Sequence, residues 1–135
     1  MKIPEKLSDV TCLSDFYYVI GSWFTIICFT MALFILPIAL TIKESVVSFL
    51  MCGGICFVGA AANYRKEFEH EVHYGAALTS MICSMCWVIS VNPIGLLGCL
   101  ISLIGLIDKK RWLLWMEIAC FTSVFIDIFL WSLDL

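Results

Sequence analysis

Both histidines of this chain, His70 and His73, fall in one polar stretch, 63–76, together with Glu67, Glu69 and Glu71. On a helix, Glu67 and His70 would stand three residues apart and Glu69 and His73 four apart, the spacings at which side chains meet on one face. Imidazoles beside carboxylates can pass a proton near neutral pH or ligate a metal, and Glu-x-x-His is half of the ligand pattern of di-iron helical bundles. The chain has no second Glu-x-x-His. Glu67, His70 and His73 are therefore the residues a metal would use, but no metal or other cofactor is expected. A structural account competes with this chemistry. Arg65 and Lys66 follow one apolar run and the glutamates open the next, and helices favour positive charge at their C-terminal ends and negative charge at their N-terminal ends. A further reading makes Asn63, Tyr64, Arg65, Lys66, His70, His73 and Tyr74 a surface for lipid headgroups or a protein partner.

Two acids, Glu117 and Asp127, interrupt the last apolar run. On a helical wheel Glu117, Cys120, Ser123 and Asp127 lie within about 120° of one another, so they share a face that should point inward. A charge at mid-bilayer costs about 2.5–3.5 kcal/mol on insertion scales. Each acid lies about one and a half turns from its end of the run, where the cost is lower. The polar line Glu117, Ser123 and Asp127 would suit a small transporter or a proton or ion pathway. The alternative is a buried pair hydrogen-bonded to neighbouring helices. No Lys or Arg lies inside another apolar run to pair with them.

Of the eight cysteines, only Cys12 lies outside the apolar runs. Disulfide frameworks belong to small secreted domains with exposed loops, so these cysteines read as reduced, small hydrophobes. Cys83-Ser-Met-Cys86 is a CxxC motif midway along a run, without the electropositive, accessible setting that a reactive thiolate needs. No residue is assigned a catalytic role, and the chain leans away from an enzyme.

The elements that must carry these groups are membrane helices. The chain is 62% hydrophobic and 14% charged, against about 45–50% and about 25% for soluble domains, so the bilayer is its solvent. Apolar runs cover about 16–41, 45–62, 75–91, 94–107 and 112–133, and the third helix can start earlier, near Phe68. Pro37 can bend the first run, and Asn92-Pro93 is a turn signal. The fourth run is short: as an α-helix it reaches about 21 Å across a core of about 30 Å. Charge favours it as a span. With five spans, Lys2, Lys6, Arg65, Lys66, Lys109, Lys110 and Arg111 share one side and Lys43 alone takes the other, the bias that the positive-inside rule describes.

The expectation is an all-α integral membrane bundle of five transmembrane helices, one domain over 1–135, with a cytoplasmic N-terminus and an external C-terminus. No cleavable signal peptide is evident, so the first span would serve as its own insertion signal. Tyr and Trp residues cluster near run ends, as in an aromatic belt. There is no basic tail or basic helix face, which argues against nucleic acid as a partner.

Two runs carry stripes of small residues. Ser45, Ser48, Cys52, Cys56, Gly59 and Asn63 fall within about 80° on one helix, and Gly95, Gly98, Ser102 and Gly105 within about 80° on another. Helices in lipid associate through such stripes, so these faces should pack within the bundle, or else bind a second copy of the chain or a lipid.

The segment Phe57-Val-Gly-Ala-Ala-Ala-Asn63, with Val72-His-Tyr-Gly-Ala-Ala77, resembles a pattern in small membrane proteins of gut bacteria and their phages. More distantly it is similar to the Frag1/DRAM/Sfk1 and DUF998 group of multi-span proteins, with Lys110-Arg-Trp-Leu-Leu-Trp-Met-Glu117 as a fainter echo. The resemblance implies a helical bundle in a bacterial inner membrane, with membrane lipids as partners and a role in lipid or membrane homeostasis. It supplies no catalytic residue.

Overall fold

The computed structural model describes residues 9–63 and 67–134 and, for Glu67 and Phe68, the backbone alone. Tyr64, Arg65 and Lys66 of the expected headgroup surface lie outside the described residues, as do Lys2 and Lys6. The described chain is all-helical. A short 3-10 turn, Leu13–Asp15, leads into α1 (Phe16–Ile20), α2 (Ser22–Ile42), α3 (Val46–Ala60) and α4 (Glu67–Val91). A 3-10 helix, Pro93–Leu103, runs directly into α5 (Ile104–Ile107), and α6 (Trp112–Ser132) closes the chain.

Three of these segments are long and apolar enough to cross a bilayer: Ser22–Ile42, Glu69–Val91 and Lys109–Ser132. The outward residues of these segments and of the shorter helices are those of a membrane protein. Leu33, Phe34, Phe57, Leu78, Leu106 and Ile107 are all exposed, a surface that water would not tolerate and lipid does.

The first apolar run is broken rather than continuous. Gly21 has φ 58° and ψ −136°, a backbone region that residues with a Cβ rarely adopt. It splits α1 from α2, although its N–H still reaches Tyr17 O at 2.8 Å. The chain before Gly21 can therefore turn under the bundle instead of extending α2. Pro37 lies within α2 without ending it.

Successive long elements run in opposite directions, as the close approaches show. Gly59 of α3 lies against Cys28 of α2, Gly54 of α3 against Ser80 of α4, and Gly98 of the 3-10 helix against Ser123 of α6. Lys43 therefore sits at one end of the bundle, and Lys109–Arg111 sits at the other. The core between α2, α3, α4 and α6 is built on Ile35, Ala39, Met51, Trp87, Val88 and Val124.

The fourth run departs from the α-helix assumed from its composition. A 3-10 helix rises about 2.0 Å per residue against about 1.5 Å, so Pro93–Leu103 with α5 reaches about 28 Å, close to the thickness of the hydrocarbon core. Residues three apart eclipse in this geometry, which aligns Gly95 and Gly98 toward α6. A Cβ on Gly98 would stand 2.5 Å from Ser123 N and 2.8 Å from Ser123 Cα. Missing side chains are what allow the two backbones to come this close.

Candidate functional site

The end of the bundle near Lys109–Arg111 is closed by residues from four segments. The Leu13 N–H donates to Glu117 Oε2 at 2.7 Å. Ser14 Oγ lies 2.7 Å from His73 Nε2, and His73 Nδ1 is 2.9 Å from Ala61 O. A neutral imidazole with its proton on Nδ1 donates to the carbonyl and accepts from the serine hydroxyl. Asp15, only 1% exposed, folds back on its own segment, and its Oδ2 accepts from Thr11 N and Thr11 Oγ1. Tyr18 donates to Asn63 Oδ1, and the Asn63 N–H donates to Glu69 Oε2. The N-terminal segment is thus a lid of hydrogen bonds over the helix ends.

Beside this lid runs an apolar groove of about 460 Å³. Phe24, Ile27 and Met31 of α2 form one wall and Ile118, Phe121 and Phe125 of α6 the other, with Ile55, Ser80 and Ser84 behind. It exists because α2 and α6 meet only sparsely, so α3 and α4 form a floor between them. Ile27 and Phe125 are both about half-exposed, so the groove opens sideways, toward lipid. Its polar end is formed by Ser14 and Glu117. The volume falls within the range of about 300–1,000 Å³ typical of ligand pockets.

At the opposite end, Ile42, Lys43, Ser90, Val91, Asn92, Asp127 and Trp131 line a smaller cavity of about 270 Å³. Lys43 Nζ donates to Ser90 O at 2.8 Å. Asp127 is 1% exposed, and its carboxyl packs against the start of the 3-10 helix, facing the backbone N–H groups of Asn92 and Gly95; a Cβ on Gly95 would lie 2.6 Å from Asp127 Cγ.

These placements sort the residues singled out in the sequence. Glu117, Ser123 and Asp127 do share a face of α6, with Ser123 fully buried and its hydroxyl bonded to Ala119 O. The two acids do not share a cavity: Glu117 lines the groove, Asp127 lines the far pocket, and no residue lines both. His73, expected on a surface, is 3% exposed, because α4 starts at Glu67 and carries it beneath Ala61 and the N-terminal lid. His70 is exposed and lies over Tyr74, with ring centroids 4.5 Å apart. Among the described residues no group of three His, Cys, Asp or Glu side chains could hold a metal; the Glu67 side chain lies outside that set. Cys28, Cys52, Cys56, Cys83, Cys86, Cys99 and Cys120 are free thiols, and Cys86 of the CxxC motif is exposed.

Sequence reasoning missed the N-terminal lid, the placing of Lys43 and Asp127 in the lining of one cavity, and the groove. One signal was present for the first: Ser14-Asp15 just before an apolar run has the form of a helix start, which argues for order in that segment. No family model, no curated protein and no solved structure matches this chain.

Proposed function

We propose that this protein binds a membrane lipid, seating one acyl chain in the groove between α2 and α6 with the polar part of the molecule at the Ser14–Glu117 end. The observation that carries this reading is the groove itself: apolar along its length, open sideways, and ended by a carboxylate and a hydroxyl. That gradient matches an amphiphile lying along the bilayer normal, and an apolar chain entering from lipid needs no dehydration. The exposed 69–74 face of α4 lies at the same end and supplies further contacts to headgroups.

The same reading places the chain as a multi-pass protein with five spans. The length of the 3-10 segment and the alternating helix directions support that count. The positions of Lys109–Arg111 and Lys43 support a cytoplasmic N-terminus by the positive-inside rule. A bacterial inner membrane follows from the resemblance in 57–63 and 72–77.

The test is photo-crosslinking of the purified protein in vesicles carrying a phospholipid with a diazirine in its acyl chain. Adducts should concentrate on the groove walls, at Phe24, Ile27, Met31, Phe121 and Phe125. Cys120→Trp, which fills the groove, should reduce them several-fold. Leu106→Trp, on an outward face, should not. Uniform labelling of every lipid-facing surface, unchanged by Cys120→Trp, overturns the proposal.

A further inference from the structure

The polar end of the groove is built of hydrogen-bond acceptors. Ser14 and Glu117 supply it. The neutral His73 ring donates through Nδ1 to Ala61 O, so Nε2 carries a lone pair, and the Ser14 hydroxyl directs its one proton there at 2.7 Å. A hydroxyl committed in this way has only lone pairs left to offer. Glu117 Oε2 takes the Leu13 N–H. Among the described residues nothing donates to Oε1, and that atom is not sealed in the core as the Ser48 hydroxyl and the Trp87 N–H are. A carboxylate oxygen only accepts.

Charge points the same way. Among the described residues no Lys or Arg lines the groove, and Asp15 is a second carboxyl within electrostatic reach of Glu117. A phosphate or carboxylate brought to this end would meet like charge and no donor, and an uncompensated anion away from water is costly. An ammonium fits poorly too. It carries three N–H donors against two acceptors, and the neighbouring Phe16, Ile118 and Phe121 side chains give the third nothing to bond. A hydroxyl needs one acceptor and no counter-charge.

We infer that the groove selects its lipid by the head: a neutral lipid with a free hydroxyl, of the diacylglycerol class, whose O–H donates to Glu117 Oε1 beside Ser14 Oγ. This rests on the acyl-chain reading above and adds the chemistry of the polar end. A phospholipid can place a chain in the groove only with its phosphate left outside. A diacylglycerol seats its head and one chain together and should displace it.

The experiment uses the full chain in phosphatidylcholine vesicles carrying the diazirine phospholipid. Dioleoylglycerol, dioleoyl phosphatidic acid or oleylamine is added without label at one and the same low mole fraction. Adducts at Phe121 and Phe125 are read against those at Leu33, on an outward face. Dioleoylglycerol should lower the groove adducts several-fold, and the other two should be about tenfold less effective, as expected for one hydrogen bond made or missed. In Glu117→Gln the amide oxygen keeps the Leu13 N–H and the amide nitrogen stands where Oε1 stood, so an acceptor becomes a donor. The advantage of dioleoylglycerol should then fall about tenfold. Ser14→Ala removes the other acceptor, should lower the advantage by a smaller factor, and serves as the second variant should Glu117→Gln fail to fold. Groove adducts that all three competitors displace alike, stronger displacement by phosphatidic acid or oleylamine, or an undiminished advantage in both variants overturns the head assignment alone. Absence of groove adducts before any competitor is added overturns the acyl-chain reading and this assignment together.

Discussion

Leu13 and Glu117 stand 104 residues apart in sequence, and the backbone N–H of the first donates to Oε2 of the second at 2.7 Å. A carboxylate within a membrane helix thereby finds its donor in a segment that precedes the first span. The Leu114 N–H reaches Thr11 O at 3.2 Å beside it, so the N-terminal segment is stitched to the first turns of α6 from both directions.

Removing the acceptor should free that segment. Glu117→Ala leaves the Leu13 N–H unpaired, at a cost of about 1–3 kcal/mol, whereas Glu117→Gln retains an acceptor oxygen and should cost less. Hydrogen exchange at the Leu13 amide reads this directly: exchange should quicken in the alanine variant and change little in the glutamine variant. Equal protection in all three proteins would show that the contact does not hold the lid.

The lid has a second anchor in His73. His73→Phe keeps a ring of similar size but leaves Ala61 O and Ser14 Oγ without their partner. Loss of about 1–3 kcal/mol is expected from the stranded groups, measured as thermal stability in detergent. Because Ser14 lies next to Leu13, the double variant with Glu117→Ala should be less destabilised than the sum of the single ones. Simple additivity would mean that the two contacts act independently.

The approach of the 3-10 helix to α6 should tolerate no side chain at its closest point. Gly98→Ala places a Cβ against the Ser123 backbone, where nothing flexible can yield, and overpacking of this kind costs about 1–3 kcal/mol. Gly53→Ala is the control: nothing lies within 4 Å of a Cβ there, and replacing glycine in a helix interior gains up to about 1 kcal/mol. Paired melting curves should move in opposite directions.

Trp87 is fully buried, yet its Nε1 has no acceptor among the described residues. Its contribution is therefore packing volume rather than hydrogen bonding. Trp87→Phe should cost far less than Trp87→Ala, for which about 3 kcal/mol is expected from the cavity. A phenylalanine variant as unstable as the alanine one would point to a partner for the indole N–H.

The helical class and the membrane setting were legible in the sequence, because a bilayer leaves backbone polar groups no partner but their own helix and apolar run length then reads out directly. The small-residue faces were legible for the same reason: Gly95 and Gly98 mark where a helix can approach, and they do lie against α6. Helical periodicity also aligned Glu117, Ser123 and Asp127. It could not reveal that Glu117 meets Leu13 while Asp127 shares a pocket with Lys43, since those meetings depend on which helix ends come together. The conformation of Pro93–Leu103 was hidden as well, because apolar composition is shared by α and 3-10 helices and only the packing against α6 distinguishes them. His73 shows the same division. Its type and spacing announced chemistry, but its burial was decided by the fold of the N-terminal lid, a contact between residues 59 positions apart. Composition and periodicity are local properties of the chain, and they determined what the helices are; which groups face one another across the bundle is a long-range property, and only the tertiary structure decided it.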